Sequence, residues 1–375
     1  MQTNRVKAPL VHLSRRDVLP LWSKALIRLA AFILGMAVCG LVALLLIEKL
    51  RLDPSRLGEF YYSFIKGSFS TLAKRWKFFK NVAVLLCIAL ALTPAFRMRF
   101  WNTGAEGQTL VGVLAAVAVN FYLGGKYTNG QVAWPDWALL LLMFAAALAA
   151  GAIWGVIPAL FKARWNTNET LFTLMMNYIA TFIVSYFLMI WTPSGSSSLG
   201  MLSHGYLPKL GHEYFLLILI VAILTVSLYV YLNYSKHGYE ISVVGESQKT
   251  ALYIGISVKK VIIRTMTISG ALCGLAGFLI VSALDHSVTT ASIGGQGFTA
   301  IMVSWLAKFN PITMVLTSFL ITFLDQGSSQ ISTDFNIDSA FPSVIVGIII
   351  FFIIGCEFFI NYKINFRHKA AKEAK

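Results

Sequence analysis

Long apolar runs separated by short polar gaps dominate the chain. Most of these runs approach or exceed the roughly 20 residues that a helix needs to cross a bilayer. The pattern predicts spans at 25–47, 81–96, 109–123, 137–161, 171–191, 214–234, 261–284, 312–324 and 341–360, with a short apolar piece at 299–307. The predicted fold class is therefore all-α, a polytopic integral membrane protein with about nine or ten transmembrane segments.

Two of the apolar regions are interrupted by polar and glycine-rich residues. The first break, 97–108, separates the apolar runs 81–96 and 109–123, and the second break, 285–298, precedes the run 299–307. Short apolar segments around such breaks are typical of discontinuous membrane helices. Irregular backbone at membrane depth must be covered by protein or by a water-filled path. We therefore predict two broken or re-entrant elements.

The polar gaps divide the chain into three parts. Residues 1–24 are predicted to form a cytoplasmic N-terminal segment, residues 25–362 a transmembrane domain, and residues 363–375 a cytoplasmic basic tail. Within the domain, 48–80 alternates aromatic residues with Lys and Arg, which suits an amphipathic element at the membrane interface. The stretch 235–260 is predicted to be cytoplasmic.

The distribution of basic residues predicts the orientation in the cell membrane. With both termini in the cytoplasm, the inside stretches carry 19 of the 31 Lys and Arg residues, whereas the outside gaps 124–136 and 192–213 carry only Lys126 and Lys209. Cytoplasmic loops are enriched in these residues. The stretch 48–80 departs from the rule with 8 basic residues. Either it lies on the surface, or the second span is not a full crossing.

The composition excludes several classes of protein. Hydrophobic residues make up 57% of the chain, charged residues only 13%, and the mean hydropathy is +0.71. These values exclude a disordered chain, a nucleic-acid module and a cytosolic enzyme. The net charge of +15 is attributed to topology, so lipid and not nucleic acid is expected around the protein.

The sequence carries no set of residues typical of an enzyme. Metalloprotease, Walker and nucleophile-elbow motifs are missing from it. The four cysteines lie inside apolar runs without the spacing of metal ligands, and we interpret them as small core residues. We expect no catalytic residues, no metal site and no cofactor on this chain.

Polar side chains in the first break and in a nearby span are candidates for a transport path. They are Asn102, Glu106, Gln108 and Asn177. An ionisable group inside a membrane segment is by default a functional hypothesis. The alternative for Glu106 is that it pairs with Arg97 or Arg99 and caps a half-helix, and the alternative for Asn177 is an interhelical hydrogen bond.

Two other patterns predict packing and docking. The pairs Gly151/Gly155 and Gly270/Gly274 predict close helix–helix approach. In the cytoplasmic stretch, residues 248–254 are long enough for a short helix with a glycine on each side, which Ser247 could cap. Such a projecting helix suits docking of a cytosolic partner, and an ordinary linker is the alternative.

At these residues the sequence resembles a known family. The run Gly245-Glu-Ser-x3-Ala251-x3-Gly255-Ile256, followed by Ile268-Ser-Gly-Ala-Leu-Cys-Gly-Leu-Ala-Gly277, is similar to the coupling region of the ABC-importer permeases for branched-chain amino acids, ribose and nucleosides. The block Phe100-Trp-Asn-Thr-Gly-Ala-Glu-Gly-Gln108 resembles the F-N-I-G-A-E-G-Q block of the nucleoside and simple-sugar branch.

Two further blocks extend the resemblance from about residue 48 to the C-terminus. The run from Lys162 through Asn177 to Ile179 is similar to the family's K-A-R-F-x-x-N-E … T-L-M-L-N-Y-I block, and 295–311 is similar to its G-F-D-G-I-A-V-A-L-L-G-x-x-x-P block. The chain departs from the pattern at Thr299 (a frequent Asp), Ala300 (a Gly) and Ser247 (a frequent Asn). The first departure bears on the substrate, because that segment lines the path in the family.

The resemblance implies a permease subunit of an ABC importer for nucleosides, or for simple sugars. Its implied partners are a second permease chain in a heterodimer, a cytosolic tandem ATPase that holds ATP and Mg²⁺, and an extracellular substrate-binding lipoprotein. The implied path adds Phe298, Thr299 and Trp305 to the residues above. The implied ATPase contacts are Gly245, Glu246, Ser247, Ala251, Gly255 and Ile256. The competing hypotheses are an ion-coupled secondary transporter and a membrane-embedded enzyme.

Overall fold

The computed structural model describes residues 11–16, 20–46, 57–124, 134–192, 196–338 and 340–366. These residues are almost entirely helical. The helices in chain order are α1 Leu21–Leu46, α2 Leu57–Phe69, α3 Leu72–Arg97, α4 Ala105–Leu123, α5 Asp136–Trp165, α6 Glu169–Trp191, α7 Phe215–Tyr234, α8 Lys236–Glu246, α9 Gln248–Tyr253, α10 Val258–Ile280, α11 Gln296–Leu306, α12 Pro311–Phe335 and α13 Phe341–Asn361. Strands β1 Val11–Arg15 and β2 Tyr362–Phe366 complete the set, and a π-helical turn, Val281–Asp285, extends α10.

In the described part of the chain, eight helices are long and apolar enough to cross a membrane: α1, α3, α4, α5, α6, α7, α10 with its π-helical turn, and α13. The expectation of an all-α polytopic membrane protein is confirmed. The short α11 is only 11 residues long. It follows the second predicted break, while the first break separates α3 from α4, so the interrupted elements lie where the sequence places them.

The third helix begins earlier than its apolar residues indicate. The prediction starts this span at Asn81, but α3 begins at Leu72, so its first turns fall inside the stretch assigned to the interface. The side chain of Thr71 caps the helix by accepting from the Lys74 amide at 3.3 Å. Cations at 74, 75, 77 and 80 make these turns too polar to be recognised as part of a span. Residues 48–56 lie outside the described part, as do 1–10 and 367–375 of the predicted terminal segments.

The chain divides into two units, and the larger one spans residues 71–322. The apolar windows of α3, α4 and α10 are 83%, 61% and 67% buried, whereas those of α5, α6 and α7 are 22%, 33% and 28% buried. Helices α3, α4 and α10 therefore form the centre of this unit. The outer helices leave apolar surface free to meet lipid or another chain.

The predicted glycine faces are confirmed inside this unit. A Cβ on Gly151 would lie 2.8 Å from the Cα of Gly274, and one on Gly112 would lie 2.7 Å from the same atom. No side chain fits at these positions, so helices α4, α5 and α10 meet backbone to backbone. All four cysteines are buried, as expected for small core residues.

The smaller unit comprises the chain up to Ser70 and from Phe323 onward. Here Arg28 of α1 donates to the Glu357 carboxylate of α13 at 3.1 Å from Nε, which gives the single cation of the first predicted span a partner. Strands β1 and β2 pair antiparallel, with Val11 opposite Phe366 and Arg15 opposite Tyr362. The segments that flank α1 and α13 therefore lie at the same end of this unit. The cytoplasmic location of that end stays a prediction.

Candidate functional site

The first break lies deep inside the larger unit. Helix α3 ends at Arg97, seven residues without helical structure follow, and α4 begins at Ala105. Asn102 in this turn donates from Nδ2 to the hydroxyl of Ser269 at 3.3 Å. Because Ser269 lies in the middle of α10, α4 begins well inside the depth of a neighbouring span.

A pair of side-chain amides fixes the turn. Asn102 Nδ2 donates to Gln108 Oε1, and Gln108 Nε2 donates back to Asn102 Oδ1, both at 3.2 Å. The same Asn102 oxygen accepts from the Gly104 amide at 3.0 Å. Both side chains are almost fully buried. This amide network, Asn102 with Gln108 and Ser269, therefore holds the backbone of the break.

Asn177 of α6 ties a second helix to the break. Its Oδ1 accepts from the Gly107 amide at 2.9 Å, and its Nδ2 donates to the Thr103 carbonyl at 2.9 Å. A Cβ on Gly107 would lie 2.8 Å from that Oδ1, so only glycine permits the approach. The structure thus agrees with the interhelical alternative for Asn177. Like the amide network, this residue stabilises irregular backbone.

Glu106 joins the first break to the second. Its Oε1 accepts from the Gly295 amide at 2.9 Å and its Oε2 from the Gly297 amide at 2.7 Å. Both amides belong to the N-terminus of α11, while Glu106 itself lies in the first turn of α4. The carboxylate therefore faces the positive ends of two helix dipoles and satisfies two amides that lack intrahelical partners. We call this arrangement the Glu106 clamp.

The partner of Glu106 differs from the one that the sequence suggested. Capping of a half-helix was one expectation, but with Arg97 or Arg99 as the paired cation. Arg97 instead donates to the Leu232 carbonyl at 3.1 Å and to Asn233 Oδ1 at 2.9 Å. The expected ion pair is wrong, because the carboxylate accepts instead from backbone amides of α11, which lies far from Glu106 in the sequence.

Helix α11 has one buried and one exposed face. Ser304 on the buried face donates to the Ala89 carbonyl of α3 at 3.2 Å. On the other face, Phe298, Met302 and Trp305 are 44%, 38% and 53% exposed. Thr299 lies on the flank, half-buried, with its hydroxyl donating to the Gly295 carbonyl at 3.3 Å. Of the expected path residues, Phe298 and Trp305 therefore share the exposed face of α11. The side chains of Asn102, Gln108 and Asn177 are buried and do not belong to this face.

The sequence did not single out Trp101 and Met302. The Trp101 indole stacks on that of Trp305, with ring centroids 5.1 Å apart and an interplanar angle of 23°. Met302 lies one turn before Trp305 on the same face of α11. Trp101 stands in a block that identified the family, but its contact is with a residue far along the chain, which no local pattern shows.

The predicted cytoplasmic stretch forms two short helices. Ser247 ends α8 and caps α9, accepting from the Thr250 amide at 3.3 Å, as expected. Ala251 is buried, and Gly255 ends α9 with a φ of +83°. We call residues 236–256 the coupling surface.

One end of the coupling surface is packed and the other is exposed. A Cβ on Gly245 would lie 3.2 Å from the Cα of Met98, so α8 is held tightly against the end of α3. Glu246, beside it, is exposed. At the apex, Leu252, Tyr253 and Ile254 all project from the protein, with Tyr253 93% exposed. A cavity of about 340 Å³ lies beside the apex, lined by residues that include Lys162, Gln248 and Lys259. A protruding apolar apex with cations around it suits contact with another protein.

Comparisons with known proteins agree on one family. Residues 77–354 match the family described as branched-chain amino acid transport system / permease component. The guanosine ABC transporter permease protein NupP of Bacillus subtilis is 29% identical over 340 residues, which cover 88% of this chain and 93% of that protein. The glucose ABC transporter permease protein TsgB13 of Haloferax volcanii is 28% identical, covering 75% and 76%. The nucleoside ABC transporter permease protein NupB of Lactococcus lactis is 26% identical, covering 73% and 77%.

Proposed function

Since the chain belongs to the branched-chain amino acid transport system / permease component family, we propose that it is the subunit through which an ABC importer moves nucleosides across the cytoplasmic membrane. It is a multi-pass permease subunit of an ABC importer. The relatives named for guanosine and for nucleosides support this substrate class. Simple sugars are the second candidate, because another relative is named for glucose.

The exposed aromatic face of α11 carries the substrate assignment. Phe298 and Trp305 lie beside the irregular backbone of both breaks, with the hydroxyl of Thr299 on the flank. A nucleoside presents a flat base and a hydroxylated ribose, and these match aromatic rings and a hydroxyl respectively. The buried amides of Asn102, Gln108 and Asn177 hold the first break, from which Glu106 reaches the start of α11.

The coupling surface supports an energy source on another chain. Its exposed apex at Tyr253 suits docking into a groove of a cytosolic ATPase, which would bind ATP and Mg²⁺. In this arrangement α8 and α9 face the cytoplasm, and so do both termini. A second, similar permease chain would complete the path, and an extracellular lipoprotein would deliver the substrate.

Transport by the assembled importer in proteoliposomes tests this function. The permease, its partner chain and the ATPase are reconstituted, the binding protein is added on the extracellular side, and uptake of radiolabelled guanosine, uridine, ribose and glucose is measured. We expect ATP-dependent accumulation of nucleosides and none without ATP. Exclusive uptake of sugars would favour the second candidate. Accumulation driven by a proton or sodium gradient, with this chain alone, would overturn the importer assignment in favour of a secondary transporter.

A further inference from the structure

Trp101 and Trp305 form a pair of nearly parallel indoles, of which Trp305 is exposed and Trp101 is half-buried. Resting on the nucleoside function above, we propose that this indole pair is a stacking site for the nucleobase as the substrate leaves the path. Trp101 belongs to the first break and Trp305 to α11, so the site is built from both interrupted elements. Its rings are 5.1 Å apart and nearly parallel, and more than half of the Trp305 surface is open.

The exposed face of α11 borders water or protein and not lipid. Helix α11 begins at the Glu106 clamp, and Glu106 follows directly on a turn that reaches the middle of α10. The chain before α11 is irregular, and Gly294 in it is exposed. Irregular backbone inside a membrane cannot face hydrocarbon, because its amides and carbonyls would lack partners. Phe298, in the first turn of α11, therefore lies on the side that borders water or protein, and Met302 and Trp305 continue the same face.

Both indoles are held in place before any substrate arrives. Asn102 follows Trp101 directly, and its side chain is locked by Gln108 and by the Gly104 amide. Phe96 and Phe309 flank the pair, with centroids 5.9 Å from Trp101 and 6.1 Å from Trp305. A rigid aromatic surface loses little conformational entropy when it binds a ring. The exposed part of the Trp305 indole is therefore ready to receive a planar ligand.

The indole pair also explains how the path distinguishes a nucleoside from a sugar. Every nucleobase has a π-face, and stacking on an aromatic side chain tolerates differences between bases. A ribose or a hexose has no such face, so removal of the indoles affects it less. Since the binding protein captures the substrate first, the indole pair acts on the transport step. Its loss should lower the maximal rate and leave the KM for uptake unchanged.

The test measures selectivity in the reconstituted importer. Trp305→Leu and Trp101→Leu keep apolar bulk without the ring, while Trp305→Phe keeps a smaller ring. Phe351→Leu, at an exposed aromatic residue of α13, is the matched control. We expect the Leu variants to lower the maximal rate for guanosine by about fivefold or more, given the strength of base stacking. Trp305→Phe should retain most of the rate, and Phe351→Leu should leave the rate, basal ATP hydrolysis and assembly unchanged.

A direct measurement accompanies the rates. Irradiation of the importer with 8-azidoguanosine, followed by peptide mapping, should label the peptides that contain Trp101 or Trp305, and excess guanosine should suppress the labelling. The stacking site would be overturned if the Leu variants lowered the maximal uptake rate equally for guanosine and for a transported analogue without a base. It would also be overturned if the label appeared on other peptides and the Leu variants kept the wild-type rate. In both cases nucleoside transport itself would stand. A wild-type importer that carries sugars alone would overturn both proposals.

Discussion

Glu106 and Gly297 meet in the interior although 191 residues separate them along the chain. The Oε2 atom of Glu106 accepts from the Gly297 amide at 2.7 Å, and a Cβ on Gly297 would lie 2.7 Å from the Cα of Glu106. The contact joins the first turns of α4 and α11, two helices that both begin inside the bundle. The Glu106 carboxylate accepts from two amides at the start of α11, while Asn177 accepts from the Gly107 amide at the start of α4.

Removal of the Glu106 carboxylate should therefore destabilise the protein. Glu106→Ala leaves the amides of Gly295 and Gly297 without their acceptors, at a cost of about 1–3 kcal/mol for each buried amide. We expect a lower thermal unfolding midpoint in detergent and loss of transport. Glu106→Gln keeps one acceptor without the charge, so it should fall between Ala and the wild type.

The control for this prediction is Asp136→Asn, which removes a carboxylate from the exposed start of α5. An exposed ion pair contributes little to stability, so this variant should unfold like the wild type. Equal midpoints for Glu106→Ala and Asp136→Asn would mean that the clamp does not hold α11.

The sequence identifies the breaks but not the contact between them. Glycine and polar clusters at 97–108 and 285–298 interrupt apolar runs, and this local signal correctly predicts discontinuous helices. Which atoms meet depends on how α4, α10 and α11 pack. The nearest candidate cations in sequence, Arg97 and Arg99, were therefore the wrong partners for Glu106.

Helix boundaries are predicted where local signals mark them and are missed where packing determines them. The α9 helix was predicted well, because Ser247 and Gly255 are local signals at its two ends. The start of α3 was missed, because the cations after Leu72 hide a helix that its packing and its Thr71 cap sustain. Caps and turns can be predicted from the local sequence, whereas a long-range contact such as that of Trp101 with Trp305 cannot.

The backbone contact between α5 and α10 predicts that the stability of the protein falls steeply as the residue at position 274 becomes larger. Gly274→Leu forces a side chain into a junction where a Cβ on Gly151 already lies 2.8 Å from the Cα of Gly274. Overpacking of this kind costs about 1–3 kcal/mol or more. We expect a lower unfolding midpoint and a poor yield of assembled protein. Gly347→Leu, at a helical glycine of α13 with open space around it, should behave like the wild type.

A histidine near the end of α10 predicts acid sensitivity. Burial lowers the pKa of His286 below its usual 6.5, although the Val281 carbonyl, 3.0 Å from Nδ1, opposes the shift. Above pH 6.5 the imidazole is neutral in both the folded and the unfolded chain, so it has no effect. Below that pH the unfolded chain binds the proton more readily, and stability falls as the pH drops.

His286→Asn should make this loss shallower between about pH 6.5 and pH 5. Asparagine tolerates the left-handed backbone at this position, where φ is +48°, and its amide can still donate to the Val281 carbonyl. Unfolding midpoints across this pH range provide the measurement. His237→Asn in α8 is the matched change, and an equal flattening in both variants would count against His286 as the source.

The turn after α9 predicts a test of coupling that separates backbone conformation from steric clash. Gly255 has a φ of +83°, yet a Cβ there would meet nothing within 4 Å. A substitution is therefore penalised through its backbone and not through contact with neighbours. Asparagine adopts positive φ readily, whereas a β-branched valine does so at a cost of about 1–2 kcal/mol or more. Gly255→Val should thus displace the turn that places the Ile256 amide 2.9 Å from the Ala251 carbonyl.

Coupling is measured as nucleoside uptake per ATP hydrolysed in the reconstituted importer. We expect Gly255→Val to hydrolyse ATP with little uptake and an unchanged unfolding midpoint, because the coupling surface projects from the helical bundle. Gly255→Asn should couple nearly as well as the wild type. Gly347→Val introduces the same side chain at an open helical position and should leave the ratio intact. Equal uncoupling by Gly255→Asn and Gly255→Val would contradict this prediction. It would mean that added bulk at the coupling surface, and not loss of the left-handed turn, disrupts the contact with the ATPase.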